Sequence, residues 1–361
     1  MNRPEESTPW PCLRNAEGPL LSVCITTYNR ARWLAVNLGT LMRWLKPCPD
    51  VVEVIVCDNA SEDDTREVVK PFLGEKNFHY YRNPENVGML GNLKVTAHHA
   101  EGRYVWIVGD DDIVKYEGIN AVLAAIREYP DVGLIYLNYA YTRITDAAEV
   151  RDVDRFLEDS TPIVPPTANQ YSKIKNISTN SENFFTAIYC LVFRRDHALR
   201  AYSQNTRGRP FSTMLTCIPT AYYVCNHMFE EMGLWIGEPA LVVNMNVSWL
   251  KYAPLWILER IPELYDLAER RGADPIAVDR WRAHNFPGVL HFLNEIYFND
   301  TAGNLPYFSI DRLIQRCKHL DAFRKNIRAF IDTYERAYSA GDIKDSPSPR
   351  ALMERYGLSL G

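Results

Sequence analysis

The stretch Tyr104-Val-Trp-Ile-Val-Gly-Asp-Asp-Asp-Ile113 places three consecutive carboxylates directly after a run of apolar and aromatic residues. The apolar run predicts a buried strand, and the acidic triplet predicts a turn at its carboxyl end. Adjacent carboxylates repel one another, so a solvated acidic turn is one explanation. We favour a divalent-cation site, because hard oxygen ligands suit Mg²⁺ or Mn²⁺ that also coordinates substrate phosphates.

Strand and helix patterns alternate around this stretch, from Leu20 to about Ala140. Spacings of three and four between leucines predict a helix that ends near Leu45, and a second helix is expected over Met89–Ala100. Repeated β-α-β spacing predicts an α/β fold with a mostly parallel, Rossmann-like sheet and helices on both faces. The strands are predicted at Leu21–Thr26, Val51–Cys57, Phe78–Tyr81, Tyr104–Val108 and Val132–Leu137.

The remainder of the chain is less regular, and helical patterns dominate its end. We predict a flexible N-terminus (1–18), a first half of the α/β domain (19–140), a second half (141–250) and a helical C-terminal region (251–361). Two further strands are predicted at Phe184–Phe193 and Leu241–Val247, and three helices at Leu255–Arg271, Asp279–Tyr297 and Ile310–Tyr338.

Composition excludes several classes of protein. The 361 residues are 47% hydrophobic and 24% charged, typical of a folded globular protein rather than a disordered or collagen-like one. The 40 basic and 45 acidic residues give a net charge of −5, which disfavours general nucleic-acid binding. The eight cysteines form no Cys-x-x-Cys pair, so a zinc site of that kind is not expected. With no secretory signal or apolar run of membrane-spanning length, we expect a cytoplasmic protein.

Three other polar segments also follow predicted strands, so all four should meet at the carboxyl edge of the sheet. Each has a plain alternative as a helix cap or turn. Together they describe a clamp for a base, an acceptor for ribose hydroxyls and a cation for a diphosphate. The three segments are Thr26-Thr-Tyr-Asn-Arg30, Cys57-Asp-Asn-Ala-Ser-Glu-Asp-Asp-Thr65 and Asn86-Val-Gly-Met-Leu-Gly-Asn92.

In this set of motifs the chain resembles the family 2 glycosyltransferases with the GT-A fold, most closely the abequosyltransferase-like branch. The resemblance covers about a third of the chain and implies that residues 19–140 bind a nucleotide-sugar and residues 141–250 bind the acceptor. The motifs are Thr27-Tyr28-Asn29, Asp58-Asn-Ala-Ser-Glu-Asp63, Asn86-x-Gly88 and Gly102-x-Tyr104 leading to Asp110-Asp111-Asp112.

The resemblance also implies roles for single residues. The base and the nearby phosphate would contact Thr27, Tyr28 and Arg30, and Asp58 would bind the base edge or ribose. Asp111 would bond ribose or sugar. Donor contacts are also implied for the third segment, through Asn86, Gly88 and Asn92, with Asn92 or Lys94 in place of a family arginine. Asp112 and Asp110 would hold Mn²⁺ or Mg²⁺.

The implied function is a metal-dependent, inverting transfer of a sugar from a nucleotide-diphosphate donor to a hydroxyl acceptor, in bacterial polysaccharide or glycoconjugate synthesis. A carboxylate would act as general base. We favour Glu230 or Glu231 over Asp196, with Glu182 as a further candidate, and each has a surface carboxylate as its alternative. A catalytically silent nucleotide- or sugar-binding protein is a second hypothesis. A sugar nucleotidyltransferase is a third, although the absence of glycine from Leu21–Arg30 disfavours it.

Two later segments bear on partners. Arg207-Gly-Arg209 is either a phosphate contact or a basic surface loop, and Val247–Ile257 is rich in aromatic residues. The aromatic segment has three possible roles: core packing, an acceptor groove, or contact with the inner face of the membrane. The expected partners are a nucleotide-sugar donor and a saccharide, lipid-linked or small-molecule acceptor, with no nucleic acid.

Overall fold

The computed structural model describes residues 18–45, 49–144, 146–150, 152–181, 183–244, 249–285 and 289–339, together with 351, 354 and 355. Almost all of the predicted flexible N-terminus lies outside these ranges. The described residues form these strands, in chain order: β1 (Leu21–Thr27), β2 (Val52–Asp58), β3 (Phe78–Arg82), β4 (Tyr104–Gly109), β5 (Ile113–Val114), β6 (Leu134–Leu137), β7 (Ala140–Thr142), β8 (Thr161–Pro162), β9 (Gln170–Lys173), β10 (Leu191–Arg194), β11 (Met232–Ile236) and β12 (Leu241–Asn244).

The helices of the first part of the chain alternate with these strands. They are α1 (Ala31–Leu45), α2 (Thr65–Val69), α3 (Met89–His99), α4 (Tyr116–Glu128), α5 (Val153–Glu158), α6 (Ile174–Ile177), α7 (Arg195–Tyr202) and α8 (Pro219–His227). The C-terminal helices are α9 (Ala253–Leu255), a π-helical turn at Trp256–Arg260, α10 (Ile261–Arg270), α11 (Pro275–Asn285), α12 (Val289–Phe298), α13 (Ile310–Cys317) and α14 (Asp321–Ser339).

The main sheet has eight strands in the order β3-β2-β1-β4-β10-β6-β11-β9. Strands β3, β2, β1 and β4 are parallel, as the β-α-β spacing predicts. Strand β10 runs antiparallel to both β4 and β6, and β11 is again parallel to β6. The sheet is therefore mixed: β9 and β10 run against the other six strands, and the predicted mostly parallel arrangement is confirmed.

Apolar side chains explain why β1, β2 and β4 occupy the centre of this sheet. Nearly every residue of the three strands is buried, which is typical of parallel strands covered on both faces. Helix α1 covers one face with the predicted leucines Leu34, Leu38, Leu41 and Leu45. These three strands and α1 thus form the hydrophobic core beneath the polar loops.

A second sheet of four strands, β5-β12-β7-β8, begins directly after the acidic triplet. Strand β5 pairs antiparallel with β12. Helix α4 lies close to Ala240, the residue before β12. A Cβ at Gly118 would lie 2.1 Å from the backbone oxygen of Ala240. Glycine is therefore required there for α4 to approach the sheet.

Two predicted strands end differently in the structure. The prediction of one strand over Phe184–Phe193 is wrong: Phe184 and Phe185 have φ values of +46° and +65°, and a 3₁₀ turn precedes β10. Both phenylalanines are completely buried, so packing outweighs the backbone preference there. The predicted strand from Leu241 is described only to Asn244, and its last residues lie outside the described ranges.

The predicted C-terminal helices are also divided. The long helix expected over Ile310–Tyr338 is two helices, because the chain turns at Lys318–Leu320 and thereby buries both Cys317 and Phe323. The helix expected from Asp279 starts earlier, at Pro275, and ends at Asn285. Among the described residues, no helix is both long and apolar enough to cross a membrane.

The chain forms two compact units. The first contains the described residues up to Thr206 and those of Asn226–Asn244, and therefore both sheets. The second contains Arg207–Cys225 and the described residues from Trp249 onward. The predicted boundaries at residues 140 and 250 remain predictions, because these units do not test them.

Buried ion pairs hold the helices of the second unit together. Glu259 is 1% exposed, and its carboxylate lies 2.6 Å from Arg312 Nε and 3.4 Å from Arg316 Nη1. Asp266 links Arg316 to the buried Arg282 at 2.6 and 3.1 Å. These contacts join α10, α11 and α13 to the π-helical turn.

Candidate active site

The carboxyl ends of β1, β2 and β4 bring three of the predicted segments to one edge of the main sheet. Thr27 pairs in register with Asp58, and Thr26 pairs with Gly109, the residue before the acidic triplet. Parallel strands end at a common edge, so the loops that follow them are neighbours. Asp110 therefore lies beside the loop that starts at Thr27.

Asp110 and Asp111 both contact Arg30. Asp110 accepts a 2.7 Å hydrogen bond from Thr27 Oγ1 and lies 3.1 Å from Arg30 Nε. Burial raises the pKa of Asp110 to about 7, although the charge of Arg30 opposes this. Asp111 Oδ2 accepts a 2.6 Å bond from Arg30 Nη2. The Arg30 guanidinium thus forms ion pairs with two carboxylates.

Asp112 is the least compensated of the three carboxylates. Its Oδ2 accepts a 2.7 Å hydrogen bond from the Gly109 N–H. The side chain is buried, which raises its pKa well above the ordinary value, and the charge of Asp111 raises it further. When all three are ionised, Asp110, Asp111 and Asp112 carry more negative charge than Arg30 balances.

This corner has the chemistry of a cation site that needs an additional ligand. Asp112 Oδ2 and Asp111 Oδ1 both lie against Gly109, 3.0 and 3.2 Å from the position of a Cβ there. Within the described ranges no group of three or more His, Cys, Asp or Glu side chains is arranged to hold a metal ion. Mg²⁺ is commonly held by one or two carboxylates together with substrate phosphates, so the residues present fit such a cation.

Asn37 fixes the backbone of the acidic turn, and the sequence reasoning missed it. Its Nδ2 donates to the backbone oxygens of Gly109 at 3.1 Å and Asp112 at 2.8 Å. Asn37 is 1% exposed, and its Oδ1 is buried without a hydrogen-bond partner. The available signal was a polar residue on the apolar face of α1, one position before Leu38.

The loops after β1 and β2 are hydrogen-bonded to each other. The Asn29 N–H donates to Ser61 Oγ at 2.8 Å, and the Glu62 N–H donates to Asn29 Oδ1 at 2.8 Å. Asn29 and Ala60 have φ values of +55° and +67°, which these bonds stabilise. Tyr28 is left 43% exposed between them, so its ring is accessible to a ligand.

Asp58 lies at the predicted edge, but its carboxylate is used internally. It is completely buried and accepts bonds from the Ser61 N–H at 2.7 Å and from Tyr80 Oη at 2.7 Å. Arg82 Nε lies 3.4 Å from the same carboxylate. In this conformation Asp58 shapes the loop after β2 and does not face a ligand.

An asparagine network holds the third segment. Asn86 Oδ1 accepts from Asn59 Nδ2 and from the Gly88 N–H, both at 2.8 Å. Asn92 is 3% exposed, accepts from Asn83 Nδ2 at 2.9 Å and donates to the Cys57 backbone oxygen at 3.1 Å. Asn92 therefore anchors α3 rather than presenting an amide to a ligand, whereas Gly88 is exposed with φ +77°.

Tyr189 and Cys190, which the sequence reasoning did not select, also lie near the corner. Val192 pairs with Trp106 in the antiparallel β10–β4 ladder, so the residues before β10 approach the end of β4. Burial raises the pKa of Tyr189 and of Cys190, and the charge of Asp112 adds to both shifts. No motif marks these residues, because their position depends on a strand pairing distant in sequence.

Three candidates for the general base, Asp196, Glu230 and Glu231, lie at the amino ends of β4 and β11. The acidic triplet lies at the carboxyl end of β4. Arg194 pairs with Tyr104, the first residue of β4, so Asp196 lies about 20 Å from the carboxyl end of that strand at about 3.3 Å per residue. Glu230 and Glu231 precede β11, which runs in the same direction as β4 and also begins at that edge. The structure therefore contradicts all three assignments, and Glu182 lies outside the described residues.

Each of these carboxylates already has a basic side chain as its partner. Glu230 lies 2.7 Å from Lys173 Nζ and 2.6 Å from Lys175 Nζ, which lower its pKa to about 2. Asp196 pairs with Arg194 at 2.6 Å, which lowers the pKa of Asp196. Glu231 lies 3.1 Å from His197 Nε2. Their plain alternative, surface carboxylates in ion pairs, fits the geometry.

Sequence comparisons agree with this architecture. Residues 22–199 match the model of Glycosyl transferase family 2. The abequosyltransferase RfbV of Salmonella typhimurium is 34% identical over 139 residues, which are 38% of this chain and 40% of the relative. The poly(ribitol-phosphate) beta-N-acetylglucosaminyltransferase TarS of Staphylococcus aureus is 31% identical over 116 residues, 32% of this chain and 20% of the relative. The chain thus matches well under half the length of these relatives.

Solved structures show the same fold. S. aureus TarS superposes with a TM-score of 0.51 at 17% identity, covering 93% of this chain and 55% of that one. A TarS fragment, residues 1–349 in complex with UDP-GlcNAc, gives a TM-score of 0.50 at 18% identity over 89% of this chain and 92% of that one. The predicted GT-A fold is confirmed. On the geometry of this site, its motifs and these matches, the chain carries a glycosyl transferase family 2 domain over residues 22–199.

Proposed function

We propose that this chain transfers a sugar from a nucleoside-diphosphate donor to a hydroxyl acceptor, with inversion at the anomeric carbon and with Mn²⁺ or Mg²⁺ as cofactor. The observation that carries the proposal is the buried Asp110–Asp112 corner, where three carboxyl groups share one arginine at the carboxyl ends of the strands of a family 2 domain. A divalent cation shared with a diphosphate would balance their negative charge.

In this proposal the β1 loop binds the donor. Tyr28 offers an exposed ring for stacking on a base, and Arg30 is 32% exposed while it holds Asp110 and Asp111. Thr27 keeps Asp110 in place by its hydrogen bond, so it acts through that carboxylate. The nucleotide-sugar bound in the TarS fragment supports a donor of this class, although the nucleotide and the sugar are left open.

We propose Asp112 as the principal cation ligand and Asp111 as the second carboxylate ligand, because both lie against Gly109. Asp110 was expected to share this role, but Thr27 and Arg30 already contact its two oxygens. A bound cation would stabilise the negative charge that develops on the departing diphosphate. Asn37 holds the turn that presents Asp112, because it anchors the backbone at both ends of the triplet.

The acceptor is proposed to be a saccharide or a phosphate-bearing polymer of a bacterial surface. The names of two relatives, the abequosyltransferase RfbV and the poly(ribitol-phosphate) beta-N-acetylglucosaminyltransferase TarS, support this class. We do not assign the general base to Glu230, Glu231 or Asp196, since all three lie at the other edge of the sheet. Because no general base is assigned, the experiment also tests the second hypothesis, a catalytically silent nucleotide-binding protein.

The test is to incubate the full chain with UDP-, GDP-, dTDP- and CDP-sugars, with Mn²⁺ or with EDTA, and to measure nucleoside diphosphate release. The proposal expects release from one nucleotide class with Mn²⁺ and its loss in Asp112→Asn. Asp131→Asn, a change at a 90% exposed carboxylate, is the matched control. Tight nucleotide binding without release in the presence of saccharide acceptors would favour the silent-protein hypothesis. Formation of nucleoside triphosphate and sugar 1-phosphate from a nucleotide-sugar and added pyrophosphate would favour a nucleotidyltransferase.

A further inference from the structure

Three stretches of the second unit meet in a group of aromatic and basic side chains that the proposed function does not use. The Lys251 backbone oxygen accepts a 2.9 Å bond from Asn304, and Arg209 donates to the same asparagine at 2.9 Å. We call this group the aromatic–basic patch, and it consists of Arg209, Trp249, Leu250, Lys251, Tyr252 and Tyr307.

Ring stacking fixes the base of the patch. Phe211 is 6% exposed, and its ring stacks on Tyr252 with centroids 5.0 Å apart and on Trp249 at 5.6 Å. Trp256 closes the group, 5.5 Å from Trp249. Phe211 has φ +64°, a conformation that a bulky residue adopts only when its surroundings require it. Trp249 and Tyr252 are therefore held in position by a buried ring.

The outer side of the patch exposes large apolar side chains. Leu250 is 62% exposed, and Tyr307 is 38% exposed. The neighbouring Leu305 adds a further side chain that is 36% exposed. Asn304 joins the stretches that carry these side chains, because it bonds both Lys251 and Arg209. Exposed large apolar side chains that cluster in this way mark an interaction site.

Within the part of the chain that the structure describes, the two cations of the patch have no acidic partner. Arg209 donates to the Ala302 backbone oxygen at 2.6 Å and to Asn304 Oδ1, and both acceptors are neutral. Its guanidinium lies 4.6 Å from the Tyr307 ring centroid, and Lys251 Nζ lies 5.2 Å from that of Tyr252. Of the carboxylates that the structure describes, none lies within 4.0 Å of either cation. The patch therefore presents positive charge that no described carboxylate balances.

We propose that the aromatic–basic patch binds the surface of an anionic lipid bilayer. Trp and Tyr favour the membrane–water interface, Leu250 would enter the apolar layer, and Arg209 and Lys251 would meet lipid phosphates. A saccharide fits less well, because Phe211 already covers one face of both Trp249 and Tyr252 and the most exposed member is purely aliphatic. The patch lies within one unit, so this proposal does not depend on the donor site.

The experiment is co-sedimentation of the full chain with vesicles of phosphatidylcholine, with and without phosphatidylglycerol. We expect binding only to the anionic vesicles, weakened by salt because surface charges are screened. Lys251→Ala should weaken it about fivefold, the equivalent of about 1 kcal/mol for one basic residue at an anionic surface. Leu250→Glu should abolish it. Ile276→Glu, at a residue that is 76% exposed on α11, is the matched control and should leave it unchanged.

Thermal melting of each variant separates loss of binding from loss of fold. Equal sedimentation of the protein and of both patch variants would overturn the proposal, as would equal loss in Ile276→Glu. Absence of binding to anionic vesicles would also overturn it. Quenching of tryptophan fluorescence by inorganic phosphate or a soluble saccharide, without vesicle binding, would assign the patch to a soluble ligand instead. None of these measurements uses a nucleotide-sugar, so failure here leaves the proposed transferase function untouched.

Discussion

Replacing Asp112 by asparagine should stabilise the ligand-free protein while removing donor binding. The buried Asp112 carboxylate lies beside Asp111 and Asp110, and one arginine serves the group. Asparagine has nearly the same shape and keeps an oxygen for the Gly109 N–H, which lies 2.7 Å from Asp112 Oδ2. The substitution therefore removes charge with little change in packing.

The size of the effect follows from the cost of an imperfectly paired buried charge, about 2 kcal/mol. For a protein of 361 residues we expect a rise in melting temperature of about 3 °C at pH 8. Because burial raises the folded-state pKa of Asp112, the folded protein binds a proton more tightly than the unfolded chain does. The native carboxylate therefore costs stability progressively as pH rises above its ordinary pKa, and the advantage of Asp112→Asn should shrink toward pH 4.

The assay is differential scanning calorimetry of the protein, Asp112→Asn and Asp131→Asn between pH 4 and pH 8, without metal or nucleotide. Asp131 has a side chain that is 90% exposed, so its substitution should change the melting temperature little at any pH. A lower or unchanged melting temperature for Asp112→Asn at pH 8 would refute the reasoning, because it would mean that the carboxylate charge is already compensated.

Four further substitutions test other parts of the structure. Thr27→Val removes the hydroxyl that bonds Asp110 and should lower the free energy of unfolding by about 1–3 kcal/mol in urea titrations. Glu231→Gln should leave the steady-state rate of nucleoside diphosphate release unchanged, whereas a large loss of rate would contradict its position at the amino end of β11. Gly118→Ala should cost about 3 kcal/mol or prevent folding, since its Cβ would meet a backbone oxygen at 2.1 Å, and a normal melting curve would contradict that contact. Glu259→Ala should cost about 1–3 kcal/mol in the same titrations, because it removes the charged hydrogen bond to Arg312 while Arg316 keeps Asp266 as its partner.

The donor half of the fold could be predicted because each of its signals is local. Apolar runs mark β1, β2 and β4, and leucine spacing marks α1. Since parallel strands end at one edge, the positions of the loops follow from the strands alone. The acidic triplet after β4 was for this reason assigned to the correct edge of the sheet.

The other half depends on pairings that sequence patterns do not show. Strand β10 runs antiparallel to β4, which moves Asp196 to the edge opposite the acidic triplet. The internal hydrogen bonds of Asp58 and Asn92 could not be predicted either. A residue that contacts a ligand and a buried residue that anchors a loop can be of the same type at the same spacing. Asn37 reaches the acidic turn only through the packing of α1 on the sheet.

The most direct test of the central claim is to measure Mn²⁺ binding by electron paramagnetic resonance, with and without a nucleoside diphosphate. We predict that the nucleotide of the preferred class sharply increases the affinity for Mn²⁺, and that Asp112→Asn abolishes this increase while Asp131→Asn preserves it. Nucleotide binding that is equally tight in EDTA, with Mn²⁺ uptake unchanged by Asp112→Asn, would contradict the claim that these aspartates and a diphosphate share one cation.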